Sequence, residues 1–304
     1  MSTQSAAPVA DFEEHRPRMF AVAYRMLGSA AEAEDVVQEA YLRWSRAADR
    51  DRIEHLGAWL AKVVTRLCLN VLDSARVRRE KYVGPWLPEP VLTGDGALGP
   101  LESAEQRDSV SMALLVLLER LTPVERAVYV LREAFAYGHR EIADLLDLTE
   151  PNCRRLYGRA VARVAAPEAR FASPAPDRWQ GLVEAFLAAA TSGDLSRLEG
   201  MLTADVRYVS DGGGVVNAAR RPVEGPDRVA RFLLGALEKY VAGLPVSVVE
   251  CNGAPALLFG ETALVVLEFD EEGMVGGLRA VLNPEKLEFV RRQLSHSRGL
   301  SGLS

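Results

Sequence analysis

The sequence predicts a multidomain chain: two all-α modules, the second carrying a helix-turn-helix, followed by an α+β domain. Three observations predict it. Apolar residues recur at helical period through the first half of the chain. A proline- and glycine-rich stretch at residues 82–100 divides that half. Beyond residue 179 short β-type runs follow a single long helix. With 304 residues, 48% hydrophobic and 26% charged, the chain is large enough to bury more than one core. Its longest apolar runs, such as SMALLVLLERL, break at charges well short of the ~18 residues a membrane span needs. The N-terminal MSTQSAAPVADFEEH lacks the basic-then-apolar order of a signal peptide. A cytoplasmic protein with no membrane contact is the expectation. Cys68, Cys153 and Cys251 lie far apart, with no CxxC and no Cys/His cluster, so they read as reduced, buried thiols. No metal and no cofactor are expected.

The first domain, residues 11–81, reads as three helices. Phe12, Met19, Phe20, Ala23, Tyr24 and Leu27 share one helical face, and Gly28 offers the left-handed stop that helix ends favour. Ser29 with Glu32 three positions on has the form of a capping box for the second helix. There Val36, Val37, Ala40, Tyr41 and Trp44 face inward, which leaves Glu34, Asp35, Gln38 and Glu39 as an acidic outer face and a candidate docking surface. The third helix, about 57–79, turns Trp59, Leu60, Val63, Leu67 and Val71 inward. From Lys62 to Lys81 six bases stand against two acids, Arg76, Arg78 and Arg79 closing the series, although the whole chain has a formal charge of -6.

The linker, 82–100, carries an apolar core GPWLPEP that suits packing against a domain better than free solution. The second helical domain spans 101–166. Its TPVERAVYVLREAF opens with Thr122 as N-cap, proline in the first turn and Glu125 at the reciprocal position. HREIADLLDLTEPNCRRLYGRAVARV then has the pattern of helix, short turn and second helix. At ~100° per residue, Cys153, Leu156, Tyr157, Ala160, Val161 and Val164 fall within an arc of about 140°, and Arg154, Arg155, Arg159 and Arg163 occupy the remainder. A helix docked on one side and basic on the other suits a DNA major groove, where guanidinium groups pair with phosphates or read guanine.

The C-terminal domain, 179–292, begins with a helix and continues through DVRYVS, VSVVEC, ALVVLEF and LRAVLN as strands, with a helix near 227–240 and a DGGG turn after the first strand. No histidine lies between Trp179 and Phe289, so a His-containing acid–base pair is not available there. The carboxylates that could act alone are Asp205, Asp211, Glu261 and Glu268, the last pointed to solvent by its alternation with apolar neighbours. Regulation rather than catalysis is expected of this domain.

In their order along the chain, AEAEDVVQEAYLRW, GAWLAKVVTRLCLNVLDSARVRRE and LTPVERAVYVLREAFAYGHREIADLL resemble the extracytoplasmic-function sigma factors of bacterial RNA polymerase. The linker YVGPWLPEP, the DGGG turn and NPEKL resemble the subgroup with a fused SnoaL-like domain, which implies a cone-shaped α+β barrel at the C-terminus. The resemblance implies that Asp35, Gln38 and Glu39 meet the β′ clamp helices of core polymerase. It implies that the loop DRDRIEHLG and Asn70 engage the melted minus-ten element, beside the basic Arg76, Arg78 and Arg79. It also implies that Asn152, Arg154, Arg155 and Arg159 read the minus-thirty-five element as duplex. Gly158 and Val161 depart from the basic or polar series common in such recognition helices.

The function expected is promoter-specific initiation by a non-enzymatic subunit that is monomeric when free. The alternatives are a helix-turn-helix regulator that never touches polymerase, and a small-molecule-converting domain fused to DNA-binding modules. DGGG (Asp211, Gly212, Gly213, Gly214) and NPEKL (with Asn283, Pro284 and Lys286) sit at strand ends, where a barrel core does not need them. They are expected to meet the linker around Trp86 and to set how the DNA-binding modules are held, in competition with polymerase.

Overall fold

The computed structural model describes residues 7–47, 53–79, 81–94, 98, 107–165 and 176–301. The chain divides into two compact units. The first comprises Met1–Glu80, Gly96–Leu101 and Leu117–Ala166; the second comprises Lys81–Asp95, Glu102–Val116 and Pro167–Ser304.

The first unit is all helical. Helices α1 (Ala7–Leu27), α2 (Ala30–Ser45) and α3 (Leu56–Arg79) pack around Phe12, Met19, Tyr24, Leu27, Val37 and Leu60. Gly28 sits at φ 66, the left-handed conformation that ends α1, and the Ser29 hydroxyl accepts the Glu32 amide at 3.1 Å to begin α2. Helix α4 (Met112–Leu118) lies mostly in the second unit, and α5 (Pro123–Glu133), α6 (His139–Leu146) and α7 (Glu150–Val164) complete the first. Both halves of the Thr122–Glu125 capping box form. Asp147 ends α6 at φ 55 and Thr149 caps α7, so three residues make the tight turn between them. Ile142, Ala143 and Leu145 of α6 and Cys153 and Leu156 of α7 close on Val128 and Leu131 of α5.

In the second unit α8 (Pro176–Ser192) and α9 (Leu195–Glu199) lead into a six-stranded sheet of order β2-β1-β6-β5-β4-β3. The strands are β1 (Leu202–Asp211), β2 (Val223–Glu224), β3 (Val246–Cys251), β4 (Ala254–Phe259), β5 (Ala263–Phe269) and β6 (Val275–Val281). Only the β1–β6 pair among them is parallel. Helix α10 (Pro226–Ala236) runs into a single π-helical turn, Leu237–Val241, and α11 (Glu288–Ser301) follows a 3-10 turn at Glu285–Leu287. Each sheet face has its own core. One is built with α8 and α10 from Val183, Phe186, Val229 and Leu233 against Leu257, Leu267 and Leu278. The other sets Leu87 of the linker, Met112, Leu287 and Val290 against Leu258, Leu264, Val266 and Val281.

Two features differ from the sequence reading. The described residues 107–116 group with the sheet rather than with α5–α7, because Met112 and Val116 find their apolar partners on the second sheet face. Two further strands appear, β2 and β4. The residues of β4 are all buried, so it shows no alternation; its signal is the Asn252-Gly253 pair, both at positive φ, in the hairpin turn after β3.

Candidate functional site

Helix α7 is docked through Cys153, Leu156, Ala160 and Val164, all buried, and exposes Arg154, Arg155, Arg159 and Arg163. The four arginines are not equivalent. Arg154 pairs with Glu150 one turn earlier at 2.5 Å, and Arg155 donates to Asn152 Oδ1 at 3.0 Å. Arg159 and Arg163 both reach back to Glu125 of α5, the Arg159 pair at 3.0 Å. Glu125 is 1% exposed. Burial pushes its carboxyl up, but the bonds from Thr122 and the charges of Arg163 and Arg159 outweigh this and hold it below its ordinary value. Half of the basic face therefore also fastens α7 to α5. Tyr157 likewise donates to Glu133 at 2.6 Å, and that bond raises its phenol pKa.

The basic side of α3 is engaged within the same unit. Lys62 donates to the Asp144 carbonyl at 3.0 Å, and Lys62 and Arg66 both pair with Asp147, the left-handed residue of the helix-turn-helix turn. Arg126 of α5, 3% exposed, donates to the Leu118 carbonyl at 2.9 Å, donates to the Met26 carbonyl at the end of α1 at 2.8 Å and pairs with Glu119 at 2.8 Å. Burial lowers its guanidinium pKa to about 9. Arg18 and Arg25 of α1 lie over the Phe135 ring, 5.9 and 5.3 Å from its centroid. Sequence reasoning missed Arg126 and Asp147. The Met26 carbonyl lies a hundred residues from Arg126, and Lys62 and Arg66 lie more than eighty from Asp147, and no local pattern announces such pairs.

On α2, Asp35 and Gln38 are exposed, while Glu39 is partly covered and pairs with Arg43 at 2.8 Å. Asn70 is exposed on α3. The side chains of Arg76, Arg78 and Arg79 and the first four residues of the loop DRDRIEHLG, 49–52, lie outside the described residues.

The second unit gathers the linker, the DGGG turn and NPEKL into one polar centre on Asp211, which is fully buried. Its Oδ1 accepts the Tyr82 hydroxyl at 2.6 Å and the Gly213 amide at 3.0 Å; its Oδ2 accepts the Leu87 amide at 2.8 Å and the Lys286 ammonium at 2.7 Å. Lys286 also donates to the Leu87 carbonyl and sits over the rings of Tyr82 and Trp86, 4.8 and 4.3 Å from their centroids. Asn283 Nδ2 donates to the Tyr82 hydroxyl at 3.1 Å, and its Oδ1 accepts the Glu285 amide. Burial and the bond to Asp211 raise the Tyr82 phenol pKa. Gly213 and Gly214 are both left-handed; a Cβ on Gly213 would overlap the Asn283 amide, and one on Gly214 would press on Val83. A Cβ on Gly212 would overlap the Val216 carbonyl, and Pro284 accepts Arg291 through its own carbonyl at 3.2 Å. Further along the linker, Leu92 exchanges two hydrogen bonds with Gln293, and Val91 exchanges two with Asn252. Residues 82–93 are thus built into the second unit.

The remaining carboxylates make no acid–base pair. Asp205 and Glu261 are exposed. Glu268 does not face solvent as its alternation suggested. It is 6% exposed and pairs with Arg279 at 2.5 Å, on the opposite side of β5 from Leu267, because the neighbouring strand supplies a cation and Gly277 leaves it room. Among the described residues no group of three or more His, Cys, Asp and Glu could hold a metal ion, and no helix is long and apolar enough to cross a membrane.

The helical modules match known families directly: sigma-70 region 2 over residues 12–79 and sigma-70 region 4 over residues 111–164. The chain is 40% identical over 236 residues to the ECF RNA polymerase sigma factor SigJ of Mycobacterium tuberculosis, covering 78% of this chain and 75% of that one. It is 33% identical to the probable ECF RNA polymerase sigma factor SigI of the same species, over 94% of this chain and 96% of the relative. The crystal structure of M. tuberculosis SigJ superposes with a TM-score of 0.73 at 34% identity, covering 91% of this chain and 97% of that one. The fold and its sites define a multidomain sigma-70-type transcription factor. The chain belongs to the extracytoplasmic-function RNA polymerase sigma factors.

Proposed function

We propose that this chain binds core RNA polymerase through the outer face of α2, at the β′ clamp helices, and reads a minus-thirty-five element as duplex with α7. Asn70 and the basic end of α3 then meet the melted minus-ten strand. The observation that carries the reading is α7 itself: a helix seated by four buried residues in a helix-turn-helix, with Arg154 and Arg155 exposed and tied only to neighbours within one turn. Such short-range partners exchange readily for phosphate or guanine, whereas Arg159 and Arg163 would have to leave Glu125. Arg155 is therefore the stronger candidate for base readout and Arg159 the weaker. The free protein acts as a cytoplasmic monomer, by binding rather than by catalysis. Its C-terminal domain tunes activity through the linker that it holds.

Run-off transcription with core enzyme on genomic fragments tests this reading. Arg155→Ala should weaken promoter binding by about 1 to 3 kcal/mol without loss of core binding. Reversing charge at Asp35 and Glu39 should abolish holoenzyme assembly with the fold intact, since neither side chain is buried. Normal assembly by that double variant would overturn the α2 assignment. Promoter binding without any association with core would favour an ordinary helix-turn-helix regulator.

A further inference from the structure

The second unit contains a cavity of about 430 Å³ between the sheet and α8, α10 and the π-helical turn. Its size falls within the range of about 300 to 1,000 Å³ typical of small-molecule sites. The wall is almost wholly apolar, from Phe186, Leu233, Leu237, Leu257, Phe259 and Leu278 among others. Among the described residues no Asp, Glu, Lys, Arg or His lines it. The polar side chains that do are Tyr208, Tyr240, Asn217 and Thr262, and Tyr208 is 5% exposed. A charged guest would lose its hydration there without gaining a counter-ion, while an uncharged guest would lose little. The π-helical turn widens α10 where Leu237, Tyr240 and Val241 face the cavity, and such turns recur at functional positions.

One loop joins this cavity to the linker. Val216 and Asn217 line the cavity, while Gly212, Gly213 and Gly214, a few residues earlier, belong to the turn that holds Asp211 and abuts Val83. The Ser210 hydroxyl, which accepts the Ala219 amide at 2.9 Å, interacts with the Tyr208 phenol. A second, smaller cavity of about 240 Å³ lies between this loop and linker residues Val83, Gly84 and Pro85.

We propose that the cavity binds an uncharged, largely hydrocarbon small molecule carrying a hydroxyl or carbonyl near Tyr208 and Asn217. The occupant sets the conformation of the loop at 212–220 and, through it, the hold of Asp211 on the linker. This deepens the regulatory part of the proposed function and rests on it only for its consequence in transcription; binding stands alone.

The test uses the full-length chain and N-phenyl-1-naphthylamine, an uncharged fluorescent probe. Saturable binding of one equivalent is expected, displaced by 1-decanol at least roughly tenfold more effectively than by decanoate. Ala236→Trp and Val241→Trp, which fill the cavity, should each weaken the probe by at least roughly tenfold. Circular dichroism confirms their folding, and the decanol-against-decanoate comparison on the unaltered chain is independent of it. Hydrogen exchange with 1-decanol bound should change protection in 82–93 and 210–220. Absent or non-saturable binding, equal displacement by decanoate, or full binding by the folded variants would overturn the site. A change in protection confined to α8 and α10 would overturn its link to the linker. None of these readouts involves polymerase, so a failure of the sigma-factor reading would show separately, in run-off transcription.

Discussion

Of the buried carboxylates, Glu125 in the first unit and Asp211 in the second are satisfied in different ways. Glu125 is held by its own helix cap, three residues away, and by two arginines on a helix less than forty residues on. Its arginine partners are half exposed, with side-chain exposures of 52% and 47%. Apart from the Gly213 amide beside it, Asp211 is held by groups 75, 124 and 129 residues away in sequence, and its cation, Lys286, has a side chain 9% exposed. An arginine lost from Glu125 leaves the Thr122 cap and a second arginine in place, and both arginines are half exposed to water. Removing the cation at Asp211 leaves a charge that water cannot reach, so the same chemical pairing carries different stakes in the two units.

The largest effect should follow from breaking the Asp211 centre. Lys286→Ala leaves Asp211 buried without its cation and should destabilise the second unit by about 3 to 5 kcal/mol. Asp211→Asn combined with Lys286→Met should recover much of this in a double-mutant cycle read by urea unfolding. A Lys286→Ala cost no greater than that of an exposed pair would erase the contrast.

A smaller effect is expected at Glu125. Glu125→Gln keeps the shape but weakens charge-assisted bonds, for a loss of about 1.5 to 3 kcal/mol at neutral pH. The folded carboxyl is held below its unfolded value, so its contribution is fully present above the ordinary carboxylate range and is lost as pH falls through the folded value. Stability curves of the parent and Glu125→Gln should therefore run parallel from about pH 6 to 8 and converge below about pH 4. The smallest effect belongs to Gly158, exposed on α7, where an added Cβ would meet no atom within 4 Å. Gly158→Ala should raise stability by about 0.5 to 1 kcal/mol through helix propensity alone, measured by thermal melting. It supplies the baseline for a site that takes part in neither network.

The difference between the two carboxylates also explains what could be read from the sequence. The Thr122–Glu125 cap, the end of α1 at Gly28 and the buried face of α7 rest on residues within four positions of one another, where periodicity and capping rules operate. Asp211, Asn283 and Lys286 stand out in the sequence through DGGG and NPEKL, as turn-forming or polar residues at strand ends expected to meet the linker around Trp86. That Tyr82 and the Leu87 amide complete their coordination follows from packing across more than a hundred residues. Alternation points Glu268 to solvent because nothing nearby in sequence reveals Arg279 on the adjacent strand. The division of the basic face of α7, two arginines kept by Glu125 and two tied only to local partners, is likewise a property of how α5 and α7 pack.

Because the linker is built into the last domain of the chain, the order of synthesis matters. Leu87 leaves the ribosome 199 residues before Lys286, and Leu92 leaves 201 residues before Gln293. At about 5 to 20 residues per second the nascent linker waits some 10 to 40 s for its partners. Once residue 166 has been made, both helical modules are complete for the rest of that interval, while Asp211 and Lys286 have yet to meet the linker. A newly translated chain therefore carries its linker without the Asp211 and Lys286 contacts until the second unit is complete.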